Sequence, residues 1–162
     1  MKTKSANRFG IILLTFLISS GHAQENERTA ILAVMEKAFE AVRSNNPDDW
    51  RAIQLAEGTT LSFRPHADGT PNRQEMRLAR NEAFVSELTD DGHDYHERWT
   101  GKPTVMFRGP IAVVWGEYDF WIDGEFSHCG VDAVDLVKMD DQWKIANFMW
   151  TVEKENCPTN PN

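Results

Sequence analysis

Apolar side chains recur at two different spacings along this chain, and the change of spacing separates a helical part from a strand part. From Thr29 onward they come three and four positions apart, which predicts an amphipathic helix ending near Asn45. Asn46, Pro47 and two acidic residues then predict the start of a second helix. Gly58 is expected to end that helix.

The rest of the chain changes gradually to strand patterns. Residues 59–63 predict a short strand, residues 65–73 an exposed loop, and residues 81–88 a third helix. Five strands are predicted beyond that helix: 95–100, 104–108, 111–122, 126–138 and 142–153. Helices followed by long antiparallel strands indicate an α+β domain.

Turn lengths predict which residues of the last three strands lie opposite each other. With a two-residue turn at 123–124, Asp119 is expected to face His128, and Trp115 to face Asp132. The first face of the sheet then has a mixed character, and its members are Trp115, Glu117, Asp119, Trp121, His128, Asp132, Asn147, Met149 and Thr151. The other face is nearly all apolar, and its members are Ala112, Val114, Tyr118, Phe120, Cys129, Val131, Ala133, Ala146, Phe148, Trp150 and Val152.

Both faces contain large apolar side chains, so neither is expected to be fully exposed to water. We therefore predict that helices cover one face and enclose a cavity there. A second copy of the chain is expected to cover the other face, which predicts a homodimer.

The first 23 residues have the layout of a secretory signal peptide. Three basic residues come first, residues 9–18 are apolar, and Gly21 and Ala23 are small residues before a cleavage position. The apolar run is too short to span a membrane. The sequence thus predicts a signal peptide over residues 1–23, a secreted or periplasmic location, and one mature domain over residues 24–162.

Charge and cysteine content restrict the partners and the compartment. The net charge is −8, and it becomes −11 without residues 1–23, which contain three basic and no acidic residues. Such acidity disfavours binding to nucleic acid, and it disfavours anionic membranes after signal cleavage. Two cysteines in an exported chain can form a disulfide between Cys129 and Cys157, or Cys129 can be a small buried residue.

Two residue pairs on the mixed face are candidates for acid–base chemistry. His128 opposite Asp119 can act as a general base with its orienting acid, or form a structural cross-strand ion pair. Asp132 beside Trp115 can have a raised pKa and move a proton at carbon, or it can simply accept structural hydrogen bonds.

The sequence predicts no metal site and no bound cofactor. His93 and His96 are three positions apart in a strand-like segment, so their side chains are expected to point to opposite faces. A glycine-rich phosphate loop and a Cys-x-x-Cys pair are both lacking from the sequence.

Three segments after the two helices resemble a known family when taken in order. They are AVVWGEY at 112–118, SHCG at 127–130 and WKI at 143–145. The chain is similar over residues 27–157 to the NTF2-like superfamily, and most similar to its secreted SnoaL-like and lumazine-binding-like branch. The resemblance implies an NTF2-like cone, with N-terminal helices packed on a strongly curved antiparallel sheet, a pocket between them, and dimerisation through the sheet.

These observations lead to three hypotheses for the function. The first is an exported pocket protein for a small, largely apolar ligand, with walls from Trp115, Tyr118 and Trp150. The residues that would orient the ligand are His128, Asp119 and Asp132. The second, implied by the resemblance, is a cofactor-free ketosteroid-isomerase-like or SnoaL-like enzyme that moves a proton α to a carbonyl, with Asp132 or His128 as base. The third is a structural dimerisation module whose own side chains fill the cavity.

Overall fold

The computed structural model describes residues 10–70, 73–155 and 157–158, with side chains described from residue 21 onward. Three helices are present in this part of the chain: α1 (Gly10–Ser44), α2 (Pro47–Ile53) and α3 (Asn81–Ser86). The strands are β1 (Gln54–Pro65), β2 (Gln74–Arg80), β3 (Tyr95–Trp99), β4 (Thr104–Arg108), β5 (Ile111–Ile122), β6 (Glu125–Met139) and β7 (Gln142–Thr151).

All seven strands belong to one mixed sheet. Its order is β2-β1-β7-β6-β5-β3, and β4 also pairs with β5. The strands β3 and β4 occupy opposite ends of β5. Every pair is antiparallel except β1 with β7, which run parallel. The sheet therefore differs from the fully antiparallel sheet that the sequence predicted.

Helix α1 packs its apolar stripe on the inner face of the sheet. Ile31, Met35 and Ala38 are fully buried there, in one cluster with Val134 and Ile145 of the sheet. Burial of each large apolar side chain contributes roughly 1.5–3 kcal/mol to folding.

Polar contacts also attach α1 to the sheet. The Glu27 carboxylate accepts hydrogen bonds from Lys138 Nζ at 2.6 Å and from Trp143 Nε1 at 2.9 Å. Together with the apolar stripe, these contacts place the C-terminal half of α1 along one wall of the space that holds the site.

Helix α1 is much longer than predicted, because it begins at Gly10 rather than near Thr29. The polar segment before Thr29 contains no proline, so nothing in it stops a helix. Of the predicted signal peptide, residues 1–9 lie outside the described residues, as do residues 71–72 of the predicted loop. Within the described ranges, no helix has the length and apolar character needed to cross a membrane.

The predicted start of the second helix is confirmed, but its predicted end is wrong. Asn46 caps α2, since its side chain accepts a hydrogen bond from the Asp48 backbone N–H at 3.0 Å. The helix ends at Ile53, and Gly58 lies inside β1 instead. A Cβ atom on Gly58 would come within 1.9 Å of the Ala146 carbonyl oxygen, so this glycine permits a close approach of two strands.

The segment directly before the third helix, for which the sequence predicts no single element, forms an edge strand. Strand β2 pairs with β1, and α3 follows directly from Asn81. Met76 and Leu78 of β2 are exposed on the outer face of the sheet. Their alternation with charged residues is a strand pattern, but the segment is too short for the pattern to exclude a helix.

The predicted register of the last three strands holds at the turns and fails beyond them. Ile122 lies opposite Glu125 as expected, but the register shifts next to Phe120, which leaves Ser127 as an extra residue in β6. Consequently His128 lies opposite Phe120, and Asp119 lies opposite Cys129. The predicted pairing of Asp119 with His128 is therefore wrong.

A second shift occurs in the hairpin of β6 and β7. It lies between Asp135 and Leu136, and it leaves Ala146 of β7 unpaired. Asp132 lies opposite Trp150 of β7 and opposite Gly116 of β5. The predicted pairing of Asp132 with Trp115 is therefore also wrong. Because side chains alternate along a strand, each one-residue shift exchanges the two faces beyond it. His128 and Asp132 therefore share the inner face with Tyr118.

A disulfide joins Cys129 of β6 to Cys157, with a Cα–Cα distance of 5.7 Å. Cys129 lies on the outer side of β6, opposite the buried Asp119. The bond holds the segment after β7 against the sheet, where Cys129 also forms two backbone hydrogen bonds with Glu153.

Candidate functional site

A cavity of about 840 Å³ lies between the helices and the inner face of the sheet. Every second side chain of β5 and β7 points into the cavity, and several of these side chains are aromatic. Helices α2 and α3 add one aromatic ring each. The seven large aromatic side chains of the walls are Trp50, Phe84, Tyr95, Tyr118, Phe120, Phe148 and Trp150.

The rings at the helix side of the cavity contact one another directly. Trp150 packs against Phe84 with ring centroids 5.9 Å apart, and against Phe148 with centroids 5.5 Å apart. Trp50 lies 6.1 Å from Phe148. Such tilted and edge-to-face contacts stabilise each ring in place, so this wall is formed before any ligand arrives.

Two carboxyl groups meet on the inner face of the sheet. Glu97 of β3 lines the cavity and is 7% exposed, while Asp132 of β6 is 0% exposed and lies behind it. The two carboxyl groups are neighbours, since each of them shifts the pKa of the other. Elsewhere in the described part of the chain, no N–H or hydroxyl group donates to either oxygen of Asp132.

A hydrogen bond between two carboxyl groups needs a proton on one of them, because ionised carboxylates only accept. Burial raises the pKa of Asp132 well above its usual range, and the neighbouring Glu97 raises it further. Burial also raises the pKa of Glu97 to about 7, against a smaller opposite effect of the neighbouring Asp132. The pair therefore holds a shared proton near neutral pH, with Asp132 as its main carrier.

Tyr118 closes the cavity beside this carboxyl pair. Its hydroxyl donates a hydrogen bond to the Thr151 carbonyl oxygen at 2.7 Å. Burial, followed by the neighbouring Glu97 and Asp132, raises the pKa of the phenol. Because its one O–H is already used, Tyr118 contributes an apolar ring to the wall and does not donate to a ligand in this arrangement.

His128 lines the cavity as a neutral imidazole. Its ring stacks on Phe120 with centroids 4.8 Å apart, and its Nδ1 lies 3.0 Å from Ser127 Oγ. Burial, with smaller contributions from the cations Lys154 and Arg64, lowers the pKa of His128 to about 4. The ring is therefore uncharged at neutral pH.

Asp119, the predicted partner of His128, lies on the opposite side of the sheet. It is fully buried and accepts two hydrogen bonds from Arg98, at 2.9 Å from Nε and 3.1 Å from Nη2. The Arg98 guanidinium also lies over the Trp121 ring, 5.4 Å from its centroid. Asp119 therefore forms a structural ion pair on the outer face, where it cannot orient His128.

The three predicted walls of the pocket are divided between the two faces. Tyr118 and Trp150 line the cavity, whereas Trp115 lies on the outer face with 46% of its surface exposed. The shift next to Phe120 changes the residue opposite Trp115 from Asp132 to Ala133 but leaves Trp115 on the face of β5 that does not carry Tyr118, as predicted. The prediction failed for Trp115 because the sequence does not show which face is the inner one.

Sequence reasoning missed Glu97, although a signal for it exists. Glu97 alternates with Tyr95 and Trp99, so the three side chains share a face that is otherwise aromatic. An acid in such a row is a candidate for burial with a shifted pKa. His93, which lies nearby in the sequence, is outside the strand and pairs with Asp123 at 2.7 Å.

Among the described side chains, no group of three or more His, Cys, Asp or Glu residues is arranged to hold a metal ion. The chemistry that the cavity presents is a protonated carboxyl pair, a neutral imidazole and aromatic walls.

No family model matches the chain, and no curated protein matches it. Solved structures do match it. An NTF2-like protein of unknown function from Silicibacter pomeroyi is 15% identical and aligns with a TM-score of 0.59, over 80% of this chain and 98% of that one. An NTF2-like superfamily protein from Salmonella enterica is 12% identical, with a TM-score of 0.61, over 86% and 99% of the two chains. A candidate scytalone dehydratase from Novosphingobium aromaticivorans is 16% identical, with a TM-score of 0.60, over 83% and 89%.

These similarities define the class of architecture. The chain has the NTF2-like fold, with helices packed on a curved sheet around an internal cavity. The resemblance drawn from segments 112–118, 127–130 and 143–145 is confirmed at the level of this fold. The SnoaL-like and lumazine-binding-like branch stays a prediction, because identities of this size carry no information on function.

Proposed function

We propose that this chain binds a small, largely apolar molecule in the cavity. The observation that carries the proposal is a cavity of about 840 Å³ whose walls contain a continuous group of aromatic rings. Ligand pockets have volumes of roughly 300–1,000 Å³ and walls that are mainly apolar and aromatic. The open volume disfavours the structural module, whose own side chains would fill this space.

Two tryptophans provide a matched test of the binding site. We expect Trp150→Ala to weaken binding of the neutral fluorophore N-phenyl-1-naphthylamine by roughly tenfold, because the variant removes an aromatic wall. Trp115→Ala removes the same side chain from the outer face and is expected to leave the dissociation constant unchanged. Fluorescence titration of the mature protein measures both constants.

The reverse pattern, with Trp115→Ala weakening the probe and Trp150→Ala without effect, would place binding on the outer face and contradict the proposal. Absence of any saturable binding to the unmodified protein would contradict it as well.

The carboxyl pair favours a second candidate function, proton transfer at a carbon α to a carbonyl. Glu97 reaches the cavity and has a pKa of about 7, close to the value that suits a general base at neutral pH. In this step the C–H bond breaks, its electron pair forms an enolate, and the proton passes to the Glu97 carboxylate. The same carboxyl then returns the proton to carbon, so the transfer needs no redox partner.

In this second candidate, Asp132 influences the pKa of Glu97 but does not itself reach the cavity. His128, which was predicted as an alternative base to Asp132, does line the cavity. The structural similarity to a candidate scytalone dehydratase is compatible with acid–base chemistry, since removal of water also requires proton transfer.

Exchange of the α-protons of 2-tetralone in D₂O, followed by proton NMR, tests the second candidate. We expect exchange above the buffer rate, rising with pH through about 7, and lost in Glu97→Gln. Glu117→Gln, which changes an exposed glutamate of β5, is the matched control. Loss of exchange in His128→Gln with retention in Glu97→Gln would assign the base to His128 instead, and a buffer-level rate would eliminate the reaction.

Export and dimerisation are part of the proposal for this chain. The Cys129–Cys157 disulfide supports an oxidising compartment, in which such bonds persist. The intact mass of protein recovered after secretion is expected to lack residues 1–23 and to be about 2 Da below that of the reduced form. Retention of those residues would contradict export.

The outer face of the sheet supports a homodimer. Met76, Leu78, Trp115 and Met149 are exposed there as apolar side chains. Light scattering on the mature protein at micromolar concentration is expected to give twice the mass of the chain. A monomer at that concentration would contradict the dimer and leave the cavity proposal intact.

A further inference from the structure

We propose that the ligand of this cavity is an amphipathic anion, whose negatively charged group is held at the rim by Arg64 and Lys154 while its apolar body fills the aromatic interior. The inference rests on the proposed binding function and names the chemical class of the ligand. Aromatic carboxylates, sulfonates and fatty acids belong to this class.

Strand pairing brings the two cations to the same side of the cavity. Cys129 and Glu153 exchange two backbone hydrogen bonds, of 2.9 and 2.8 Å, which makes His128 and Lys154 neighbours on adjacent strands. The Phe63 carbonyl oxygen accepts a hydrogen bond from the Val152 backbone at 2.7 Å. Arg64 follows Phe63 and thus reaches the same rim, where Arg64, His128 and Lys154 all line the cavity.

Neither cation is neutralised by any of the described residues. Across the described residues, the side chains of Arg64 and Lys154 make no hydrogen bond and no ion pair. Glu75 lies opposite Arg64 on β2 but is not paired with it. An unpaired guanidinium and an unpaired ammonium at the edge of an apolar cavity have the chemistry that binds an anion.

The acidic groups around the same opening already have partners. Glu87 forms an ion pair with Arg77. Asp91 accepts a hydrogen bond from the Tyr95 hydroxyl at 2.5 Å. Glu87 is thus neutralised by a cation, whereas Asp91 keeps its negative charge, because a phenol is a neutral donor. The rim therefore presents the positive charges of Arg64 and Lys154 against the single remaining charge of Asp91, although the whole chain has a net charge of −8.

The positive charge also acts inside the cavity. Both Lys154 and Arg64 disfavour protonation of His128, which means that their electric field reaches the imidazole at the wall. The same field favours a negative charge at that position. At the deep end, the carboxyl pair becomes negatively charged as Glu97 ionises near pH 7, so it would repel a second anion. The charged group of the ligand is thus expected at the rim and not at the deep end.

Two related fluorophores test the inference. 8-Anilinonaphthalene-1-sulfonate carries the aromatic body of N-phenyl-1-naphthylamine together with one sulfonate. We expect the double variant Arg64→Gln/Lys154→Gln to raise the dissociation constant of the sulfonate roughly tenfold and to leave that of the neutral probe within about twofold. High salt is expected to weaken only the sulfonate.

The control removes the same two charges elsewhere. Arg108 and Lys37 are exposed and make no ion pair in the described structure, so Arg108→Gln/Lys37→Gln should bind both probes as the unmodified protein does. If both double variants weaken binding of the sulfonate probe equally, the change in net charge explains the effect, and the inference is overturned. Unchanged sulfonate binding in Arg64→Gln/Lys154→Gln would overturn it too, with the binding function intact if the neutral probe still binds. Failure of both probes on the unmodified protein would remove the binding function itself and this inference with it.

Discussion

Replacing Gly130 by alanine is expected to lower the free energy of unfolding by about 3 kcal/mol or more. A Cβ atom at this position would lie 2.0 Å from the Thr151 carbonyl oxygen and 2.8 Å from Cε1 of Tyr118. The carbonyl cannot easily move away, because it belongs to β7 and accepts the Tyr118 hydroxyl at 2.7 Å. One methyl group would therefore displace a strand and a wall of the cavity together.

Gly101→Ala is the matched control for this change. A Cβ atom on Gly101 would meet no other atom within 4 Å, so its effect is expected to stay within about 0.5 kcal/mol. Urea unfolding of the two variants and the unmodified protein measures the difference. Equal stabilities for Gly130→Ala and Gly101→Ala would mean that β6, β7 and Tyr118 are not packed as described.

The turns explain why the strands could be predicted closely from the sequence. Asp123 and Gly124 both have positive φ, of 53° and 80°, as do Asp140 and Asp141, at 49° and 61°. Asp and Gly adopt this conformation more readily than other residues, and it suits two-residue hairpins. The ends of β5, β6 and β7 adjoining these turns therefore lie at or within one residue of their predicted positions.

The faces of the sheet could not be predicted in the same way. The two register shifts leave Ser127 and Ala146 unpaired, and neither is a glycine or proline that would indicate a bulge in the sequence. Each shift moves a whole run of side chains to the other face. As a result, His128 and Asp132 were assigned to the wrong side of the sheet, while Tyr118 and Trp150 were correctly placed together.

The carboxyl pair depends on contacts that no local pattern contains. Glu97 and Asp132 come from β3 and β6, which do not pair with each other but both pair with β5. On β5, Glu97 lies opposite Phe120 and Asp132 lies opposite Gly116, so the two carboxyl groups approach each other diagonally across this strand. The sequence could identify Asp132 as an acid in an aromatic environment, but its partner follows only from the order of the strands.

This partnership makes the stability of the protein depend on pH, and Glu97→Gln is expected to remove part of that dependence. In the folded protein the pKa of Glu97 is raised from 4.5 to about 7, mainly by burial. The protonated form is thus favoured by folding, so the associated stability is fully present below about pH 4.5 and is lost as the pH rises through about 7. Asp132 is shifted in the same direction and adds to the loss.

Between about pH 5 and pH 8, the Glu97 contribution to this loss is about 2 to 3 kcal/mol. Glutamine has nearly the same shape as protonated glutamic acid but does not ionise. Between these two pH values, the free energy of unfolding should therefore fall by about 2 to 3 kcal/mol less in Glu97→Gln than in the unmodified protein. Urea unfolding at the two pH values measures it, with Glu117→Gln as the exposed control that should follow the unmodified protein. Identical losses in Glu97→Gln and the unmodified protein would mean that Glu97 is ionised in the folded state throughout this range. Glu97 would then share no proton with Asp132 and would be a permanent negative charge in the cavity. It could not act as a base with a pKa near 7.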